Sequence, residues 1–312
     1  MISWRYHVVS IVAVVLAFGL GILAGSSVVG DELVEQLEAN TEAARRERDA
    51  ALATVERYRG FVEALQPTLR DGALVGEEAV VVTMDGADDP AQQTVDELTA
   101  AGVEVLATLT LDRRLTDPGT EENVDAMEDV LGLVGSNPDS LPGRMADALA
   151  VRLAVGPEEG EEDLLGALMA AGLMTADRDL DEEALLDIGG AGQLVVVAAG
   201  GRPVPEDVGD PEDLLVPIAE RLVQLGTATS GVGPVDDAYG FVRSVREEPE
   251  ILDCAMVTVD DVDLEVLGGI TLVMGIERFL DDPDPEFRPG GDYGLEGDSV
   301  LPGADPPESC RR

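Results

Sequence analysis

From Val8 to Val29 the chain reads VVSIVAVVLAFGLGILAGSSVV, a run with no charged residue. At about 1.5 Å per residue this makes roughly 33 Å of helix. A hydrocarbon core is about 30 Å thick, so the helix can span it with a little tilt. A cleaved signal peptide is the competing reading, although its apolar core usually covers only about 7–15 residues. The small residues Ala24, Gly25, Ser26 and Ser27 suit such a cut, but Leu23 stands where a small residue should precede it. LAGS resembles a lipoprotein box whose required Cys is Ser26 here, which excludes lipidation at that point. The uncleaved anchor is the preferred reading.

Charge on the flanks orients the anchor. Arg5 precedes it, while Asp31, Glu32, Glu35, Glu38 and Glu42 crowd its exit and no further Arg appears before Arg45. The positive-inside rule then places the amino end in the cytoplasm and the remainder outside. Ala17, Gly21 and Gly25 recur at intervals of four, a small-xxx-small spacing that lets helices approach closely in lipid.

Beyond the anchor, residues 31–67 read as one polar helix rich in Ala, Glu and Arg. Heptad spacing gives the seam Leu33, Leu37, Asn40, Ala44, Glu47, Ala51, Thr54, Tyr58, Phe61 and Leu65, apolar at both ends and weak in the middle. A seam Asn such as Asn40 fixes register in a two-stranded coil. A parallel homodimer or oligomer is one reading; a single helix packed on its own domain is the other. Pro67 is expected to end the helix.

From Glu77 the pattern changes. Ala79–Met84, Val103–Leu109, Leu194–Ala199, Thr227–Val232 and Cys254–Val259 are short β-branched runs, as expected of strands buried on both faces. Helical spacing fills the intervals at Pro90–Ala101, Leu214–Leu225, Asp236–Glu248 and Leu264–Leu280. A helical insertion over about 110–193 carries helices near Glu121–Val134, Leu141–Val155, Asp163–Met174 and Glu182–Asp187. Alternating strands and helices imply an α/β domain over 72–280 that is Rossmann-like, three-layered and mainly parallel. Residues 281–312 are rich in Pro and Gly and are expected to be mostly disordered, with GGDYG as the exception.

The net charge is −44, from 64 acidic and 20 basic residues, and every basic residue is Arg. Such a surface repels nucleic acid and anionic head groups, so lipid contact is left to the one apolar helix. The acids are dispersed along the chain, which suits solvated faces better than a built cation site. The two cysteines, Cys254 and Cys310, form no CxxC; outside the cytoplasm they could pair.

Nucleotide and hydrolytic chemistry find little support. The first strand ends in Met84-Asp85-Gly86-Ala87-Asp88-Asp89, where a dinucleotide site needs glycines against the pyrophosphate. His7 is the chain's single histidine and lies at the mouth of the anchor, so the α/β domain has no histidine base. Asp236-Asp237, Asp260-Asp261-x-Asp263 and Asp281-Asp282-x-Asp284 lack EF-hand spacing and read as caps and turns. An enzyme is not expected, nor a resident cofactor.

Several segments carry a family resemblance: SWRYHVVSIVAVVLAFGLGILAGS at the start, VVVTMDGAD at the first strand, TVDDVD after the fifth, and GDYGLEGDSVLP near the end. In this order they resemble the actinobacterial copper transporter family, the mycobacterial copper transport protein B group. The resemblance implies a role in copper homeostasis at the cell envelope, with copper as a transported ion and efflux as one form of it. Where that family tends to carry GHYG, this chain has Gly291-Asp292-Tyr293-Gly294, so a histidine there is absent. The residues themselves do not show copper. Cu(I) selects thiolates and thioethers, and the methionines are scattered in sequence and sit in apolar runs, where packing is their default role. Met84 and Cys254 are the weak metal candidates, and weak, non-stoichiometric copper binding is expected of the isolated domain. A structural alternative is an anchored scaffold that dimerises by its coiled coil and recruits an envelope protein through its α/β domain.

Overall fold

The computed structural model describes residues 4–116, 119–157, 163–200, 212–234, 240–247, 255–261, 267–281, 290–294 and 302; the side chains of residues 5, 24–35 and 212 are not described. The chain divides into two compact units, Met1–Phe61 and Val62–Arg312.

Helix α1 runs unbroken from Trp4 to Arg70. Its Tyr6–Leu23 window is long and apolar enough to cross a membrane, and every residue of that window is exposed. Continuity follows from composition: after the apolar run, Ala, Glu, Arg and Leu are good helix formers. The helix does not end at Pro67, which lies inside it. Proline near a carboxyl end forfeits one backbone bond, and here the last turn is held by other means. The Asp71 amide donates to the Pro67 carbonyl, and Arg70 forms an ion pair with Glu97 at 2.9 Å.

The second unit is a mixed α/β structure around one sheet of seven strands in the order β3-β2-β1-β4-β5-β6-β7. The strands are β1 (Glu78–Met84), β2 (Glu104–Leu111), β3 (Met174–Ala176), β4 (Leu194–Ala198), β5 (Thr229–Val232), β6 (Val257–Val259) and β7 (Gly291–Tyr293). All neighbours pair in parallel except β2 with β3. The helices of this unit are α2 (Asp88–Ala100), α3 (Glu121–Val130), α4 (Leu141–Val155), α5 (Leu164–Ala170), α6 (Glu182–Leu186), α7 (Glu212–Gln224), α8 (Phe241–Glu247) and α9 (Leu267–Leu280). The region between β2 and β4 holds α3 to α6 and also the short antiparallel strand β3; Met174, expected to end a helix begun at Asp163, instead opens that strand after α5 stops at Ala170.

Alternation along the central strands divides the core in two. Val80, Val82 and Met84 of β1 and Val195 and Val197 of β4 join residues of α3, α4, α5, α7 and α8. Ala79 and Val81, with Leu194, Val196 and Ala198, join Leu98 of α2 and Leu272 and Ile276 of α9. The continuous apolar runs therefore mark strands covered by helices on both faces. Two strands were not expected at their full extent or at all. β3 is three residues long, and β7 lies beyond residue 280, within the one tail segment expected to be ordered.

A buried arginine fastens the insertion. Arg152 of α4 pairs with Asp163, the N-cap of α5, and donates to the Leu185 and Ile188 carbonyls. Its side chain is 6% exposed. Removing one partner of a buried, hydrogen-bonded charge costs about 3–5 kcal/mol. Arg152→Leu is expected to destabilise the α/β domain by that order, read as a lowered denaturant midpoint with α-helical content retained below the transition.

Candidate functional site

In an open α/β sheet, ligands favour the carboxyl ends of the strands where the strand order reverses. Here that point lies between β1 and β4, because β1 leads by α2 to β2 on one side and β4 leads by α7 to β5 on the other. What stands at the end of β1 is acidic. Asp85 is exposed, and α2 opens with Asp88 and Asp89 in its first turn. Burial, then the neighbouring Asp112, push the Asp85 carboxyl above its usual range. Burial works in the same sense on Asp112, but hydrogen bonds from the Arg114 side chain and amide outweigh it and hold Asp112 below the usual range. Arg113 donates to the Asp85 carbonyl at 2.9 Å. A phosphate would meet carboxylates at this turn, which agrees with the missing glycine fingerprint. Among the described residues no three His, Cys, Asp or Glu side chains gather so as to hold a metal.

Thr258 to Asp261 of the TVDDVD motif meet the GDYG motif at the β6–β7 edge of the sheet, while Val262 and Asp263 lie outside the described residues. Arg246 of α8 donates to the Thr258 hydroxyl at 2.9 Å, to Asp260 at 2.7 Å and to the Tyr293 carbonyl at 2.9 Å. The Thr258 hydroxyl in turn donates to Asp292 at 2.6 Å. The Asp260 amide donates to the Tyr293 carbonyl, and Tyr293 is buried with its hydroxyl reached by Arg278. Gly294 has φ +111°, and a Cβ there would run into the Asp260 carboxylate. The two motifs are thus halves of one packed corner. Residue 292, where the resembling family tends to carry histidine, accepts from Thr258 and lies 3.6 Å from Arg246. Sequence reasoning missed Arg246; its partners lie 12 to 47 residues away, and only their motif character could have pointed to them.

The remaining candidates are dispersed. Met84 is buried in the core, abreast of Leu111 on β2 and Met174 on β3. Met127 and Met145 are likewise buried, in the larger of the two core clusters. Cys254 and Cys310 lie outside the described residues. Ala17 and Gly21 are exposed on α1, and nothing approaches the Gly21 Cβ position; the side chains at Gly25 and Leu33 lie outside the described residues. Leu37, Asn40, Tyr58 and Leu65 of the seam are exposed. A cleft of about 640 Å³ opens between the amino-terminal ends of α3 and α4, with Glu121 and Asp139 at its lining.

Comparison with known proteins adds a family. A family described as copper transport outer membrane protein, MctB, matches residues 1–300. Copper transporter MctB of Mycobacterium tuberculosis is 26% identical over 308 residues, covering 90% of this chain and 93% of that protein. Copper transporter MctB of Mycobacterium bovis matches with the same figures.

Two substitutions probe this geometry. Gly294→Ala should cost about 1–3 kcal/mol through backbone strain, each kcal/mol lowering Tm by about 2–4 °C in a domain of this size. Asp112 has a lowered folded-state pKa. It therefore contributes stability above its unfolded value and loses it as pH falls through the folded one. Asp112→Asn should lower Tm at neutral pH and flatten the acid limb of a Tm-against-pH profile.

Proposed function

The chain belongs to the MctB family of copper transport proteins, and from that premise we propose that it is a membrane-anchored cell-envelope protein of copper homeostasis that takes part in copper efflux. The observation that carries this reading is the extent of the family match, which takes in the apolar helix and the α/β domain together. Arg5 before the helix and five acids after it favour a cytoplasmic amino end and an extracytoplasmic domain. One apolar helix cannot line a polar channel. Outward movement of copper therefore requires several copies or an envelope protein partner.

The chemistry proposed is binding and hand-over, not catalysis. The α/β domain has no histidine base, and its Rossmann-like sheet carries carboxylates where a nucleotide site needs bare backbone. With a net charge of −44, nucleic acid is an unfavourable partner.

A second reading rests on a separate observation, the exposed apolar stripe of α1. Tyr58, Phe61 and Leu65 are open to solvent, while Val62, Gln66 and Arg70 on the adjoining face are partly buried. Tyr58, Phe61 and Leu65 all lie on the heptad seam, so the stripe suits a parallel coiled-coil pair. In this reading the chain is a scaffold that dimerises through α1 and recruits partners through its α/β domain. The two readings are compatible.

A deletion strain separates them. Copper handling predicts raised cellular copper and growth arrest at copper levels the parent tolerates; scaffolding alone predicts altered cell shape with normal copper content. For the seam, Tyr58→Asp with Leu65→Asp in the full chain should shift detergent-solubilised protein from dimer to monomer in sedimentation while the α/β domain's unfolding midpoint stays put. A dimer that survives both substitutions would remove the coiled coil from the account.

A further inference from the structure

We propose that α1 pairs in parallel with the α1 of a second copy on a seam that takes in Arg48 and Val55 and leaves Glu47 and Thr54 outside, so that Arg48 of each copy lies against Glu47 of the other. The proposal rests on the scaffold reading and gives its dimer a register. The heptad frame through Asn40, Glu47 and Thr54 shares Leu37, Ala44, Ala51 and Tyr58 with this one, and the two differ in the other half of the seam. With the four shared residues at d, the a positions become Thr41, Arg48 and Val55.

Exposure along α1 favours the second frame. Val55 is 60% exposed and Tyr58 68%, and residues three apart are neighbours on a helix face. A β-branched and an aromatic side chain therefore stand open side by side. Leu37 is 57% exposed at the other end of the stretch. Thr41 brings no unmet hydroxyl into the seam, because its Oγ1 donates to the Leu37 carbonyl at 2.7 Å. The first frame would enclose Thr54 in place of Val55 and set Glu47 against the Glu47 of the other copy. Like charges juxtaposed in an interface oppose association. Val62, the next a position, is half-buried, and the seam is assigned only as far as Tyr58.

Charge identifies the occupant as a second copy. Arg48 at a follows Glu47 at g, and g positions flank the seam. Two-fold symmetry then places each Arg48 beside the Glu47 of the other copy, twice over, as a self-complementary contact requires. At present Arg48 pairs with its neighbour Asp49 at 2.6 Å, both side chains being largely exposed, and a surface pair of that kind contributes little and yields readily. The guanidinium can lie at the seam's edge while its aliphatic stem packs inside. A β-branched residue at a, as Val55 is, favours two strands over more. Residues 45–59 hold five Arg and three acids, so the pairing segment does not share the acidity of the whole chain. Repulsion between the two acidic α/β domains is screened over a Debye length of about 8 Å at physiological salt. The amino-terminal apolar helix, read as an anchor, gives both copies the same direction.

The test uses the full-length chain in detergent micelles. Single cysteines are placed on a Cys254→Ser/Cys310→Ser background and oxidised with diamide, and dimers are read on a non-reducing gel. A disulfide tolerates a Cα separation of at most about 7 Å, so only positions that face each other across the seam can link. Ala51→Cys, common to both frames, reports the dimer itself. Val55→Cys should link as well, while Thr54→Cys and the outer-face control Ala53→Cys stay monomeric. A second arm keeps the native cysteines and measures dimer dissociation by sedimentation. Glu47→Arg should weaken the dimer about fivefold, and the swap Glu47→Arg/Arg48→Glu should return it to within about twofold of the parent. Linking at Thr54 and not at Val55 overturns the register while the dimer stands. Equal linking at Ala53 and Val55 marks random collision and overturns it too, as does a swap that fails to rescue. No link at Ala51, with a parent that sediments as a monomer, defeats the scaffold dimer together with the register.

Discussion

The pairing of β1 with β4 is the contact on which the rest of the α/β domain depends. Val80–Val82 and Val195–Val197 lie side by side in parallel, with essentially no solvent on either face. A strand in that position cannot turn any backbone polar group to water, so each must be paired along the ladder. It cannot leave either side-chain face open either, at about 1.5–3 kcal/mol per buried Val or Leu. One face takes α2 and α9 and the other takes α4, α7 and α8, and the loops at the strand ends are fixed as a consequence.

This constraint is what made the centre of the fold legible. AVVVTM and LVVVAA are continuous β-branched runs, and such runs suit only a strand with both faces covered. The α4 span, Leu141–Val155, was readable because Pro142 starts it and Gly156 stops it. The edges were not readable. β3 pairs only Met174–Ala176 with β2, and β7 pairs only Gly291–Tyr293 with β6. GDY has no apolar period. It is a strand because Arg246, Asp260 and Thr258 take up its polar groups and Tyr293 fills the core, and each of those partners is remote in sequence. Pro67 misled for a related reason: local propensity stops the helix there, but Arg70 and Glu97 hold one more turn.

Candidate ligands were obscured in the same way. Met84, Met127, Met145 and Met174 are spread over some ninety positions, and spacing along the chain does not say against what each packs. The alternation of β1 and the docking of α3 and α4 on the same face put all four in the larger core cluster. The acidic composition, by contrast, was informative at once because it acts through long-range charge and needs no geometry. It makes phosphate-rich partners electrostatically unfavourable, but being spread over the surface it cannot by itself select one cation from another.

Glu97 shows how the base of α1 is tied into this arrangement. Its carboxylate receives Arg70 from the last turn of α1, and it occupies the space that a side chain at position 269 would need. Gly269 leaves room for that carboxylate at the amino-terminal turn of α9, where it also complements the helix dipole. α9 packs on β6 and β7, the strands that the TVDDVD and GDYG motifs complete. One ion pair thus joins the last turn of α1 to α2, which packs on α9, the helix beside β6 and β7. α9 itself approaches the Arg246 corner closely, since a Cβ at Gly275 would press on Val257 and Tyr293.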